Sequence, residues 1–238
     1  MRLVELSRSE HRDLRIRADL VEASAARQHL IPIVVSEFRK AATQYPIVLA
    51  KHPETGRFAS YVLTGLGIEE NLFWNGTALD AAYVPLNVRR QPFYVGMDDN
   101  TNVLCVDLES PCLNDSGNRT IVDADGSDSA YLKEMLAILG ELVAGKTATE
   151  QFIATALSLD LLAPLLLDIV LDDGTPLQIQ GLYGLDEEKF RQLDIGQIAR
   201  SYVELLYAVM ISSGQIFNLI RLKNQRIAAS RAWQGEAR

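Results

Sequence analysis

The chain has 238 residues, 48% of them hydrophobic, with 31 acidic against 23 basic side chains and a formal net charge of −8. That is ample apolar material for a packed core, and it excludes a disordered chain. A body this acidic repels phosphate backbones, so no nucleic-acid partner is expected.

The opening stretch, MRLVELSRSEHRDLRIRADLVEA, is charged throughout. It lacks the apolar run of roughly 7–15 residues that a secretory signal needs. The apolar runs Leu30–Val35 and Leu161–Leu167 fall well short of the ~20 residues of a membrane span. A soluble, cytoplasmic protein is therefore expected. Cys105 and Cys112 make no disulfide framework, and Cys105 sits in an apolar strand-like run, where a free thiol behaves as a small hydrophobe.

In chain order, residues 33–45 place Val34, Phe38, Ala41 and Ala42 on one helical face, and Pro46 closes that helix. IVLAK at 47–51, the turn HPETG and RFASYVLTGL then predict a hairpin. Strands are expected at Phe93–Met97 and Val103–Leu108, followed by a long surface loop at Glu109–Asp128. Tyr131, Leu132, Met135, Leu136, Leu139, Leu142 and Val143 repeat at helical spacing, predicting a helix over 129–144 with Asp128 as its N-cap. A second helix is expected over 148–161. LLLDIVL, the turn Asp172-Asp173-Gly174 and PLQIQGLY predict a second hairpin. Asp186-Glu187-Glu188 reads as the acidic first turn of a helix. Two helices, at 195–212 and 215–230, close the chain, with a break near Ser213-Gly214. The predicted fold class is α+β: a mixed α/β N-terminal half with hairpin strands, and a mainly helical C-terminal half containing one β-hairpin. No internal repeat or linker divides the chain, so residues 1–238 are expected to form one domain.

Gly140-Glu-Leu-Val-Ala-Gly145-Lys146-Thr147 matches the Walker A pattern GxxxxGK[ST]. A phosphate-binding loop follows a strand, whereas this segment continues a helical period. Gly145 instead suits a helix end, Lys146 the negative pole of the helix dipole, and Thr147 with Glu150 a capping box for the next helix. No nucleotide site is expected there. The three histidines, His11, His29 and His52, show no ligand spacing, and Asp123-Ala-Asp125-Gly126 does not meet the spacing of a calcium loop. Neither a metal nor a cofactor is expected. No nucleophile elbow appears and neither cysteine lies in a catalytic context, so no catalytic residue is named.

Two features carry binding potential. In YVPLNVRRQPF at 83–93, Arg89 and Arg90 stand between two prolines, and paired arginines can hold a carboxylate or phosphate. Arg89, Arg90, Tyr83, Glu37 and His29 are the candidate binding residues. Neighbouring side chains diverge on either a helix or a strand, so one arginine is expected to hold a carboxylate of its own chain while the other lines an exposed groove. The second feature is the C-terminal helix, whose Arg221, Lys223, Arg226, Arg231 and Arg238 could dock on a protein or lie against a membrane surface.

HRDLRIR at 11–17, HLIPIVVSEFRKAATQYPIVLAK at 29–51, NLFWNGTALDAAYVPLNVRRQPF at 71–93 and DDGTPLQIQGLYGLDEEKF at 172–190 together resemble the bacterial SapC-like family. The match follows the expected order over nearly the whole chain. The resemblance implies a bacterial, surface-layer-associated protein, unrelated to the transporter permease of the same name. Its members lie near genes for outer-membrane receptors and flavin halogenase-like proteins, which implies an accessory role in uptake or in modifying a substrate or protein. It supplies no catalytic residues. The expected function is thus a non-enzymatic accessory or interaction protein with a protein partner, and a homo-oligomer is compatible with it. The alternative is an enzyme or small-ligand binder with a site assembled around Arg89 and Arg90.

Overall fold

The computed structural model describes residues 1–99, 101–114 and 116–236. Its strands are β1 (Leu3–Glu5), β2 (Arg15–Ile16), β3 (Leu30–Pro32), β4 (Ile47–Lys51), β5 (Phe58–Leu63), β6 (Phe93–Asp98), β7 (Thr101–Asp107), β8 (Arg119–Thr120), β9 (Leu162–Val170) and β10 (Pro176–Leu185). Its α-helices are α1 (Phe38–Ala41), α2 (Leu86–Arg89), α3 (Ala130–Ser158), α4 (Glu187–Gln192), α5 (Arg200–Ser212) and α6 (Gln215–Glu236). The strands form a five-stranded sheet ordered β3-β5-β4-β10-β9, a three-stranded sheet ordered β1-β7-β6, and the pair β2-β8. All pairings are antiparallel. The fold class is α+β.

Two apolar cores sit on these sheets. One gathers Phe38, Tyr45, Leu49, Val62, Leu161 and Leu206 around the five-stranded sheet. The other gathers Ile16, Phe93, Val106, Ile121 and Leu132 beside the three-stranded sheet. Helix α3 serves both: Leu132, Met135, Ile138 and Leu139 enter the second core, and Phe152, Ile153 and Ala156 enter the first. Each large apolar side chain so buried contributes about 1.5–3 kcal/mol.

Several boundaries differ from those predicted. The helices expected at 129–144 and 148–161 are one continuous helix of 29 residues. Gly145 does not end it. A Cβ there would stand 2.7 Å from both Cβ and Cγ2 of Val34, so the glycine lets the helix press against that residue. Thr149 Oγ1 donates to the Gly145 carbonyl at 2.7 Å and accepts from Val35 N–H at 3.0 Å, fastening the same contact. Thr147 therefore caps nothing, and Lys146 is exposed in mid-helix. At the N-terminus the cap is Ser129, whose Oγ accepts from Leu132 N–H at 3.1 Å, while Asp128 pairs with Arg8.

The helix predicted over 33–45 shrinks to a 3-10 turn at Val35–Glu37 and the single turn of α1. The Glu37 carboxylate folds back onto Val34 N–H at 2.9 Å and holds the turn tight. The helix expected from 195 begins at Arg200, after a 3-10 turn at Ile195–Gln197, and the last helix runs to Glu236. Within the predicted loop 109–128, Arg119–Thr120 pairs with β2 as β8. Asp115 of that loop and Arg238 of the basic set lie outside the described residues. Both hairpins form, β4 with β5 and β9 with β10, and Gly174 takes φ +83° in the second turn. Asp186 caps α4, accepting from Glu188 N–H and Lys189 N–H at 3.1 Å.

Candidate functional site

Glu37 and Tyr83 come together. The Glu37 side chain is buried, with 1% of the residue exposed, at the end of the turn that leads into α1. Its Oε1 accepts from Tyr83 Oη at 2.9 Å and from Leu86 N–H at 2.8 Å, and its Oε2 accepts from Val34 N–H. Leu86 is the first residue of α2, so one carboxylate ties the Val34 turn to the start of that helix. Burial pushes the Glu37 pKa up, against the pull of the three donors. Burial, with Glu37 alongside, also pushes Tyr83 up, so its hydroxyl keeps its proton and donates it. Tyr45 Oη in turn donates to the Tyr83 carbonyl at 2.7 Å. Every polar atom of this cluster has its partner inside the fold.

The two arginines part company. Arg89 Nη2 lies 3.2 Å from Glu134 Oε1 on α3, with both side chains substantially exposed. An ion pair in that setting is worth about 0–1 kcal/mol. Arg89 also lines a small cavity of about 150 Å³ with Glu22, Tyr131 and Glu134. Arg90 turns inward. Its Nε donates to Asn87 Oδ1 at 2.8 Å, its Nη1 donates to the Phe93 carbonyl at 2.7 Å, and its guanidinium sits 4.0 Å from the Tyr94 ring centre. Burial lowers its pKa. Carboxylate pairing and cavity lining thus fall on one residue, Arg89, while Arg90 clamps the turn between α2 and β6. His29 stands apart from this group, just before β3, where its carbonyl accepts from Thr64 N–H at 2.9 Å.

The cations of the last helix are largely used by the fold. Lys223 Nζ is 2.6 Å from Glu70 Oε1, Arg231 Nη2 is 3.4 Å from Asp173 Oδ2, and Arg226 donates to the Trp74 carbonyl. The run Arg200–Trp233 is long and apolar enough to cross a membrane, by length and composition alone, and 28% of its apolar window is buried. Tyr207, Ile211, Phe217 and Trp233 are exposed along it.

The large concavity lies elsewhere. Between α1 and α5 runs a groove of about 760 Å³, lined by Val35, Ala42, Leu205, Ala208 and Ile211 together with Arg39, Glu204 and Gln215. Ile211 is 68% exposed there and Tyr207 44%. Sequence reading missed these residues. The available signal was that 205–211, LLYAVMI, is apolar all round, wider than the single stripe a helix on one core requires.

No curated protein and no solved structure matches the chain. The SapC family model matches residues 6–219, which take in the buried residues of both cores, the Glu37 cluster and the groove. The chain belongs to the SapC family.

Proposed function

We propose that this protein is a non-enzymatic accessory protein of the cytoplasm that holds a protein partner in the groove between α1 and α5. The observation that carries the reading is the contrast between polar and apolar groups. The Glu37 cluster spends its hydrogen bonds internally, whereas the groove offers apolar side chains to a ligand. Such a groove between two helices suits an amphipathic helix laid in with its apolar stripe down. Arg39 and Glu204 offer that helix one charge of each sign. The resemblance supplies the setting, an accessory to outer-membrane uptake or surface-layer systems.

The test is a photo-crosslinking residue at Tyr207, with the exposed Lys146 on α3 as the control position. Crosslinked peptides should map to an amphipathic segment of another protein, appear only from position 207, and vanish with Ile211→Glu. Since Ile211 is mostly exposed, that variant should unfold at the wild-type temperature. Flotation of the protein with lipid vesicles, abolished by the same substitution, would replace the partner by a membrane and overturn the reading. One observation favours a second reading, a small-ligand site at Arg89. Among the described residues the buried Tyr131 hydroxyl has no hydrogen-bond partner, and Tyr131 lines the cavity that Arg89 lines. Thermal stabilisation by small carboxylates, lost in Arg89→Ala, would favour it over the groove.

A further inference from the structure

The five-stranded sheet ends on two unlike edges. On one side β3 is three residues long and closes on Pro32, whose carbonyl accepts from Asn87 Nδ2 at 2.8 Å. On the other side β9 is nine residues long, and among the described residues no strand lies beyond it. The hydrogen bonds flanking β9 fix which of its backbone groups remain over. Leu171 N–H donates to the Thr175 carbonyl at 3.0 Å, and Asp186 N–H donates to the Leu161 carbonyl at 2.8 Å. Bonded and non-bonded pairs alternate along an antiparallel ladder. Odd-numbered residues of β9 therefore face β10 with their backbone groups. The bulge leaves this unchanged, since Leu167 pairs with Ile179 and Leu165 with Leu182.

Leu162, Pro164, Leu166, Asp168 and Val170 thus turn their backbone groups to the open edge. Their side chains share one face, where Leu166 is 68% and Val170 73% exposed. Pro164 has no N–H to offer, but its carbonyl remains an acceptor. The Asp168 carboxylate is drawn back to Gln178 Nε2 on β10 at 2.8 Å. A long apolar edge with unused donors and acceptors is a template for another strand.

We propose that β9 pairs antiparallel with β9 of a second copy, joining the two five-stranded sheets across a two-fold axis at Leu166. Such an axis stands perpendicular to the sheet and keeps like faces on the same side, so each residue meets one of its own parity. Leu166 is the midpoint of Leu162–Val170, and centring there pairs the whole strand. In that register Leu166 meets its own copy, Leu162 meets Val170 of the second copy, and Pro164 meets Asp168. The two Asp168 carboxylates stay apart, whereas an axis at Asp168 would oppose them directly. Only the bonds that Pro164 cannot donate are lost. The pairing uses a surface separate from the α1–α5 groove, so either proposal can fail without the other.

Sedimentation equilibrium over a concentration series should show reversible dimers of the full chain. Leu166→Lys should raise the dimer dissociation constant by at least about tenfold, because it places two cations side by side. Its melting curve, followed at a concentration where the wild type is monomeric, should be unchanged. Register is read by cysteine substitution. Bonded antiparallel partners have Cα atoms about 5.5 Å apart, within disulfide reach. Leu166→Cys should therefore yield a disulfide-linked dimer under mild oxidation. Val170→Cys should not, since its two copies would lie on the order of 27 Å apart along the strands. The native Cys105 and Cys112 are buried and should not interfere. A monomer at every concentration, a dimer indifferent to Leu166→Lys, or crosslinking from position 170 but not 166 would each overturn the proposal.

Discussion

Helix α3 passes two glycines little more than a turn apart, and they sit in opposite surroundings. At Gly145 the helix is pressed onto the Val34 turn so closely that a methyl group has no room. At Gly140 an added Cβ would meet nothing within 4 Å. Gly140 lines an apolar cavity of about 360 Å³ with Val95, Leu104, Leu136 and Val143, where α3 crosses the β6–β7 hairpin. One stretch of helix is thus locked to the first core and its neighbour rests loosely on the second. The difference teaches that a glycine's role is set by what lies opposite it, which a local pattern cannot report.

The tight side depends first on Glu37, so the largest effect is expected there. Glu37→Ala leaves Val34 N–H, Leu86 N–H and the Tyr83 hydroxyl facing a hole. Denaturant unfolding should show a loss of about 3–5 kcal/mol. Glu37→Gln should cost less, because its oxygen still serves Tyr83 and Leu86 while its amide opposes Val34 N–H. The pH dependence separates charge from packing. The folded-state pKa of Glu37 is raised by burial, so the native state binds the proton more tightly than the unfolded state. That contribution is fully present below the unfolded value of about 4.3. It is lost as pH rises through the raised folded value. The stability of the wild type relative to Glu37→Gln should therefore fall with rising pH across that window; a rise would mean that the donors outweigh burial.

The glycine pair comes next, and the two members should respond with opposite sign. Gly145→Ala should destabilise by about 1–3 kcal/mol, since overpacking against a β-branched neighbour outweighs the better helix propensity of alanine. Gly140→Ala should stabilise by about 0.5–1 kcal/mol, because it gains that propensity at no steric cost. Thermal melts of the two variants side by side check both. Equal shifts of the same sign would erase the contrast between the two crossings.

What the sequence disclosed follows the range of the forces involved. Both hairpins were legible because IVLAK and the Asp172-Asp173-Gly174 turn carry short-range signals that nothing distant overrides. The apolar spacing from Tyr131 to Val143 likewise announced a helix. The break assigned after it was wrong because the partner of Gly145, Val34, is remote in the chain. The same holds for Glu37. The sequence offers it as a binding candidate, and its link to Leu86 N–H appears only when the two segments meet. Arg89 and Arg90 are identical as letters, and their partners in the fold tell them apart, Glu134 for the first and Asn87, Phe93 and Tyr94 for the second. The groove and the β9 edge were illegible for a related reason. Exposure of apolar side chains is a property of what the fold leaves uncovered.

The smallest effect expected in the comparison is at Lys146, between the two crossings and Thr149. In a phosphate-binding loop this lysine would be indispensable, as would the unwound backbone around it. Here the whole segment Gly140–Thr147 is regular helix, so its N–H groups are engaged in the helical ladder and cannot cradle an anion. The side chain points to solvent in mid-helix, where alanine and lysine differ little in propensity. Lys146→Ala should shift stability by no more than about 0.5 kcal/mol. Equilibrium dialysis with ATP and with GTP should give the same result for variant and wild type, with no saturable binding to either. Micromolar binding by the wild type that disappears in Lys146→Ala would require α3 to unwind between its two glycines. The close packing of Gly145 on Val34 would then belong to only one of two states, and Gly145→Ala would weaken nucleotide binding less than it weakens the fold.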